Sequence, residues 1–183
     1  MNLITSHTNS FLSSKSYRLR NIIIDPGDEW YGFYNVNIIL LTHAHFDHIY
    51  GLNKILELNP TAFVYTNLIG RDMLMNTKKN LSFFYGEPFL FKYLDRVKLV
   101  EDKEIIKSDF ELEFQAIFTP GHNDSCITWI TNEAIFTGDS FIPGIKVVTN
   151  LPGGNKKLAQ LSLENIHKFD RDRFIYPGHE VKL

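Results

Sequence analysis

The chain has 183 residues, of which 44% are hydrophobic and 22% are charged, a balance typical of globular proteins and not of disordered or fibrous ones. Its net charge of -2 and scattered lysine pairs provide no basic surface for a phosphate backbone, so nucleic acid is not an expected partner. No run of residues reaches the roughly 18 apolar positions of a membrane span, and the first residues lack a secretory pattern. We therefore expect one cytoplasmic domain over residues 1–183, with no membrane partner.

The first part of the chain predicts buried strands that alternate with helices. Residues 21–25 and 37–41 are apolar runs that stop at loop signals, Pro26-Gly27 and Thr42-His43, as buried strands do. From Asp47, apolar residues recur at helical spacing until Asn59-Pro60, which predicts one amphipathic helix with Asp47 near its start. A further strand and a further helix are predicted for residues 61–66 and 68–77.

Residues 81–94 contain six aromatic side chains around Gly86 and Pro88 without a clean period, which predicts an ordered loop. These side chains could belong to the core, or they could form the wall of a substrate pocket. If they form a pocket, replacing Phe84 or Phe89 by Ala raises KM for an apolar substrate and leaves bound metals in place.

The second part predicts a group of strands and one late helix. The helix is expected to begin at Ser162 as its N-cap and to bury Leu163, Ile166 and Phe169. Strands are predicted for residues 97–100, 110–118, 126–131, 134–137 and 174–176. Two groups of strands separated by helices predict a layered α/β domain, with sheets inside and helices outside.

Five of the seven histidines follow predicted strands, within residues 42–48, 120–122 and 177–179, and Asp139 follows a strand in the same way. Such positions are typical of a site built from loops at one edge of a scaffold. His7 and His167 lie outside this pattern and are interpreted as surface residues. The only cysteine, Cys126, lies in a predicted strand and is interpreted as core, so a metal here must use nitrogen and oxygen ligands.

The spacing of the first cluster predicts two metal sites. His43 and His45 are two apart, so in extended chain they project to the same side and can reach one metal. Asp47 and His48 are adjacent and diverge, so they serve a neighbouring ion. Two ions about 3.5 to 4 Å apart need a shared acidic ligand, for which Asp139 is the natural candidate. The predicted ligands are His43, His45 and His122 for the first ion, Asp47, His48 and His179 for the second, and Asp139 for both.

Asp25 precedes Pro26-Gly27 and could be a simple turn former. We favour a role in orienting a ligand or its loop. Each predicted metal site leaves a coordination position for water, as catalytic sites do.

The segment Thr42-His43-Ala44-His45-Phe46-Asp47-His48 resembles the His-x-His-x-Asp-His signature of the metallo-β-lactamase superfamily. The further motifs of that family follow in its order over almost the entire chain, as Asp25-Pro26-Gly27, Thr119-Pro120-Gly121-His122, Thr137-Gly138-Asp139-Ser140 and Pro177-Gly178-His179. The resemblance implies a four-layered αβ/βα sandwich with metals at one edge of its two sheets. It also implies the same division of the seven ligands between two ions.

Within the superfamily the chain is most similar to the glyoxalase II-like hydrolases, which cleave thioesters. Glyoxalase II has an additional C-terminal helical domain that helps to hold glutathione, and this sequence ends four residues after His179. We therefore expect a small acyl ester or thioester with an apolar part as the substrate, in preference to a glutathione conjugate. True β-lactamases usually carry a cysteine in the second site, where this chain has Asp139.

The expected cofactors are two divalent ions, zinc first, with iron or manganese also compatible with these ligands. Catalytic roles are expected for His43, His45, Asp47 and Asp139, with Asp47 orienting water or moving its proton. The alternatives within the same superfamily are a mononuclear iron persulfide dioxygenase, a lactonase and a phosphodiesterase. The sequence does not fix the oligomeric state.

Overall fold

Two β-sheets form the centre of the molecule in a computed structural model that describes residues 4–28, 31–85 and 87–180. The first sheet has the strand order β1 (Thr5–Thr8), β2 (Lys15–Leu19), β3 (Ile22–Ile24), β4 (Ile38–Leu40), β5 (Phe63–Thr66) and β6 (Val97–Leu99). The second sheet contains β7 (Ile105–Lys107), β8 (Glu113–Phe118), β9 (Ile127–Ile130), β10 (Ala134–Gly138) and β11 (Phe174–Pro177), in the spatial order β11-β10-β9-β8-β7.

The central strands β3, β4, β9 and β10 are buried on both faces, and alternate side chains divide between two apolar layers. Ile22 and Ile24 face the second sheet, whereas Ile23 between them faces the helices. In the second sheet, Trp129 and Phe136 lie in the layer between the sheets. The predicted alternation of Leu112, Phe114, Ala116 and Phe118 is confirmed, because all four pack in that layer.

Helices cover the outer faces of both sheets. The first sheet is covered by α1 (Phe46–Ile49), α2 (Leu52–Leu58) and α3 (Leu68–Leu74). These helices contribute Ile49, Leu52, Ile55, Leu56, Met73 and Leu74 to its outer apolar layer. The second sheet is covered by α4 (Lys156–Ile166), where Ile166 packs on Ile117, Ile130 and Ile135. The order of layers is therefore helix, sheet, sheet, helix, which confirms the predicted αβ/βα sandwich.

The strand directions bring several loops to one edge of the sandwich. β3 and β4 are parallel, as are β10 and β11, while β8 and β10 are both antiparallel to β9. Across the sheets at this edge, the Ile127 N–H donates to Thr42 O at 2.7 Å and Trp129 Nε1 donates to Leu41 O at 2.9 Å. The carboxyl ends of β3, β4, β8, β10 and β11 thus lie together.

The single helix predicted from Asp47 is wrong, because Gly51 divides it into α1 and α2. The Gly51 N–H donates to Pro26 O at 2.7 Å and not to the carbonyl of Asp47. That carbonyl accepts a hydrogen bond from Ser14 Oγ at 2.7 Å. A Cβ at Gly51 would collide with the Phe33 ring and with Pro26 O, so only glycine permits this approach.

The predicted start of α4 at Ser162 is also wrong. The N-cap is Asn155, seven residues earlier, where Asn155 Oδ1 accepts hydrogen bonds from the Lys157 and Leu158 N–H groups at 3.0 and 3.1 Å. Ser162 lies inside the helix and its hydroxyl donates to Pro120 O at 2.7 Å. This contact joins α4 to the loop that carries His122.

The aromatic residues of 81–94 divide between core and surface, with a 3-10 turn at Ser82–Phe84. Phe89 and Phe91 are buried in the outer apolar layer of the first sheet, which favours the core alternative for these two residues. The effect of the Ala variants on KM stays a prediction. Phe84 is 63% exposed. Tyr85 stacks on Phe46 with ring centroids 4.5 Å apart.

Three strands that the sequence does not predict complete the sheets: β1, β2 and β7. The predicted strand over 110–118 begins only at Glu113. Within the residues described, no helix has the length and apolar character needed to cross a membrane. The single domain over residues 1–183 stays a prediction.

Replacing Trp129 by Phe should lower the free energy of unfolding of the metal-free protein by about 2 to 3 kcal/mol. The substitution leaves a cavity between the sheets and removes the donor to Leu41 O, since Trp129 is fully buried. Urea denaturation in the presence of a chelator measures the change. The matched control is Phe174→Leu in β11, whose ring is 74% exposed and which should change the value by less than about 0.5 kcal/mol. Equal losses in both variants would contradict this account of the core.

Candidate metal centre

All seven predicted ligands lie at the edge where the strand ends meet. β4 is followed by the loop that carries His43 and His45, and α1 then presents Asp47 and His48. β8 leads to His122, and β10 and β11 lead directly to Asp139 and His179. At Gly178, a Cβ would collide with Asp139 Oδ1, so glycine is needed for the last two loops to approach each other.

The side chains form two groups of converging donor atoms. The first consists of His43, His45 and His122, with His45 Nδ1 3.0 Å from His122 Nε2. The second consists of Asp47, His48 and His179, with His48 Nε2 3.4 Å from His179 Nε2 and 3.5 Å from Asp47 Oδ2. These groups are the two ligand sets that the sequence predicts.

Asp139 lies between the two groups and contacts both. Its Oδ2 is 3.5 Å from His122 Nε2 in the first group and 3.2 Å from His179 Nε2 in the second. Its Oδ1 is 3.6 Å from His48 Nε2. A carboxylate in this position can serve two ions at once.

Asp25 contacts the second group through the His48 ring nitrogen that faces away from the other members. Its carboxylate accepts hydrogen bonds from the Thr42 N–H at 2.7 Å and from the Thr42 hydroxyl, and it lies 3.0 Å from His48 Nδ1. Asp25 also converges with His43 and His48 as a third possible ligand set. Because its oxygens already contact Thr42 and His48 Nδ1, we interpret Asp25 as the residue that orients His48.

Asn123 and Ser125 support the first group, and the sequence analysis did not identify them. Asn123 Nδ2 lies 3.1 Å from His45 Nε2, while its Oδ1 accepts hydrogen bonds from the backbone N–H and hydroxyl of Ser125 at 2.8 and 2.7 Å. The Ala44 N–H donates to Ser125 Oγ at 3.2 Å. The only sequence signal is the polar turn composition of residues 123–125 directly after His122.

Burial and charge set the protonation of the cluster. Burial lowers the pKa of His45 to about 3, with a further decrease from His122, and burial also lowers the pKa of His43. Burial acts against a charge on His48 too, but Asp47 and the hydrogen bond with Asp25 raise its pKa to about 10. Burial would raise the pKa of Asp139, yet its hydrogen bond with His179 and the nearby histidines hold this pKa well below its usual value. Neutral His43 and His45 are in the form that binds metals.

Two buried atoms of the cluster have no hydrogen-bond partner within the described part of the chain, His43 Nε2 and Asp139 Oδ1. Buried polar atoms are rarely left without a partner unless an ion or water completes them. The unpartnered nitrogen, the unpartnered carboxylate oxygen and the surrounding imidazoles are the donor types that zinc, iron and manganese use. The residues present therefore fit a divalent metal.

Solvent reaches the cluster from one side. Asp139 and His179 have side chains 13% and 19% exposed, whereas those of His43 and His48 are fully buried. Asp139 and His179 are therefore the most exposed of the seven residues. The backbone beside this opening is fixed to the cluster, since His122 Nδ1 is 2.9 Å from Val148 O and His179 Nδ1 is 2.9 Å from Leu12 O.

The other candidate residues are not part of the cluster. His7 Nε2 is 3.2 Å from Asp28 Oδ1, and the exposed His167 bonds to Asp170. Cys126 is buried, as its interpretation as a core residue predicts, and burial raises the pKa of its thiol to about 12.

Residues 11–179 match the family profile described as the metallo-beta-lactamase superfamily. A hydroxyacylglutathione hydrolase of Francisella tularensis subsp. novicida is 34% identical over 79% of this chain and 50% of its own length. That of Tolumonas auensis is 25% identical over 87% of this chain and 57% of its own length. The chain thus spans only about half of these relatives. A probable metallo-hydrolase of Methanocaldococcus jannaschii is 30% identical over 91% of this chain and 87% of its own length.

Solved structures show the same fold. The BLEG-1 B3 metallo-beta-lactamase superposes with a TM-score of 0.86 at 24% identity, over 98% of this chain and 92% of that one. TTHA1623, solved in a di-iron-bound form, superposes with a TM-score of 0.81 at 22% identity, over 97% and 92% of the two chains.

Replacing Asp139 by Ala should reduce bound metal to less than half of the wild-type content and remove activity. Asp139 is the carboxylate that contacts both groups, so its loss leaves two cations close together without a shared anion. Elemental analysis after dialysis against zinc measures the content, and His7→Ala, outside the cluster, should keep it unchanged. A fully loaded Asp139→Ala protein would overturn the bridging role.

Replacing Asn123 by Ala should weaken zinc binding at the first group by about 10- to 100-fold, the usual effect of removing a residue that orients a ligand. Asn123 is buried and contacts His45, whereas its neighbour Asp124 is exposed, so Asp124→Ala is the matched control. Competition with a chromophoric chelator gives the dissociation constants. If the two variants bind zinc equally well, Asn123 does not position His45.

Proposed function

Because the chain belongs to the metallo-beta-lactamase superfamily, we propose that it is a metal-dependent hydrolase that cleaves small thioesters or esters at a two-metal centre. The observation that carries the proposal is the position of Asp139, which contacts both groups of ligands at the edge open to solvent. A bridging carboxylate is typical of sites that hold two ions about 3.5 to 4 Å apart.

In this proposal, zinc is the preferred metal. His43, His45 and His122 would hold the first ion and Asp47, His48 and His179 would hold the second, and Asp139 would be available to both. When bound, the ions would lower the pKa of a water molecule to about 7 and polarise the substrate carbonyl.

The protein side chains fix where water and substrate meet. Asp47 lies 3.4 Å from His179 Nε2 and is almost fully buried, so its carboxylate can orient an attacking water and accept its proton. The substrate carbonyl enters past Asp139 and His179, the more exposed members of the cluster. Asp25 and Asn123 hold His48 and His45 in place during the reaction.

The choice of thioesters is supported by the relatives. Two of the relatives are, by their names, hydroxyacylglutathione hydrolases, and the probable metallo-hydrolase that this chain spans more fully has no substrate in its name. For this chain we propose the hydrolysis of an acyl thioester, without assigning the identity of the thiol. A small organic molecule is the proposed partner.

Zinc-loaded protein should hydrolyse acyl thioesters with a kcat/KM at least about tenfold higher than its kcat/KM for lactones, phosphodiesters and β-lactams. A tenfold ratio corresponds to a difference of only about 1.4 kcal/mol in activation free energy. The panel should contain thioesters of glutathione and of a simple thiol, with bound metal quantified in each preparation. Metal-free protein is the control and should be inactive. Hydrolysis confined to phosphodiesters or β-lactams would contradict the proposal. Oxygen consumption with glutathione persulfide would identify a dioxygenase instead.

A further inference from the structure

The segment 141–149 lies between β10 and α4 in the chain, and it borders the side of the cluster that is open to solvent. Thr137 Oγ1 donates to Phe141 O at 2.6 Å at the start of the segment, and His122 Nδ1 meets Val148 O near its end. Between these anchors, the Ile145 N–H donates to Ile142 O at 3.0 Å in a turn that contains Gly144. The segment is thus held at both ends, and one anchor is a candidate metal ligand.

A cavity of about 360 Å³ lies between this segment and α4. Its walls are mainly apolar and include Phe141, Ile142, Ile145 and Val147 of the segment and Ala159 and Leu163 of α4. The volume is within the range of roughly 300 to 1,000 Å³ that is usual for small-molecule sites, which are also mostly apolar with a few polar groups.

The cavity is next to the candidate metal ligands. A smaller cavity of about 30 Å³ is lined by His122 and Asp139 on one side. Its remaining walls include residues that also line the large cavity, namely Ile142, Ile145, Lys146 and Val147. The same side chains therefore border the cluster and the apolar cavity.

We propose that the cavity between the 141–149 segment and α4 binds the acyl chain of the substrate, so that the enzyme prefers medium-length aliphatic acyl groups. This inference rests on the proposed ester or thioester hydrolysis at the metal centre. In this proposal, an acyl chain whose reacting carbonyl lies near Asp139 continues past Ile142 and Ile145, which line both cavities, into the larger one. At about 30 Å³ for each group of the size of water, a volume of about 360 Å³ holds roughly twelve such groups, so acyl chains of up to about twelve carbons fit.

The burial of each methylene group should raise kcat/KM by up to about fourfold until the cavity is full. The test is a series of thioesters of one simple thiol, from acetyl to hexadecanoyl, with zinc-loaded protein. We expect a maximum near ten to twelve carbons. A second measurement does not depend on turnover: it is calorimetric binding, to metal-free protein, of a non-hydrolysable analogue in which a methylene group separates the octanoyl carbonyl from sulfur, called here the octanoyl thioether. It should bind more tightly than the acetyl analogue.

Substitutions in the cavity wall test whether the acyl chain of the substrate binds there. Leu163→Ala enlarges the cavity and should move the maximum to longer chains by about two carbons, whereas Leu161→Ala, on the same helix but 52% exposed and outside the lining, should not move it. Ile145→Trp fills the cavity and should reduce the ratio of octanoyl to acetyl turnover at least about fivefold.

The outcomes separate this inference from the proposed function. If acetyl and octanoyl thioesters are hydrolysed with kcat/KM within twofold, and Leu163→Ala matches Leu161→Ala, the acyl cavity is wrong and the hydrolase stands. If no ester or thioester is hydrolysed while the octanoyl thioether binds the wild-type protein and not Ile145→Trp, the cavity binds a chain and the proposed function is wrong. If the protein neither hydrolyses these substrates nor binds the octanoyl thioether, the acyl cavity and the proposed function are both wrong.

Discussion

The burial of an ionisable cluster is the constraint on which the rest of the structure depends. Imidazoles and carboxylates from both sheets meet at one edge, and His43 and His48 have no contact with solvent. Charged groups removed from water are unfavourable unless other charges or hydrogen bonds compensate them. Part of this compensation is internal, as between His48 and its three carboxylate neighbours. His43 Nε2 and Asp139 Oδ1 have no hydrogen-bond partner among the residues that the structure describes, so the compensation is incomplete at these two atoms, and a divalent cation would complete it.

The sandwich supplies the rigidity that such a cluster needs. Apolar side chains fill the space between the sheets, and hydrogen bonds from Trp129 and Ile127 to the β4 loop hold the two sheets together beside the ligands. Ser14 binds the carbonyl that the break between α1 and α2 leaves free, which fixes the backbone at Asp47. Several ligands are also held by contacts outside the cluster, as His122 is by Val148 O and His179 by Leu12 O, which is typical of sites in which position determines reactivity.

Much of this arrangement could be predicted from the sequence because the ligands directly follow apolar runs. Strands such as β3, β4 and β10 are buried on both faces, so their composition alone identifies them, and the parallel strands then bring their ends together. β1 has no apolar residue in Thr5–Thr8 and was missed for that reason. The break at Gly51 and the role of Asn123 depend on contacts with Pro26 and His45, which are distant in sequence. The division of the 81–94 aromatics likewise requires the packed structure.

The central claim is that the edge cluster holds two ions that share Asp139. Anomalous diffraction from crystals grown with zinc, recorded at the metal absorption edge, tests it most directly. The account predicts two anomalous peaks about 3.5 to 4 Å apart, one among His43, His45 and His122 and one among Asp47, His48 and His179, with Asp139 oxygens about 2.0 to 2.2 Å from each. A single peak at full occupancy, or peaks that Asp139 does not contact, would contradict it.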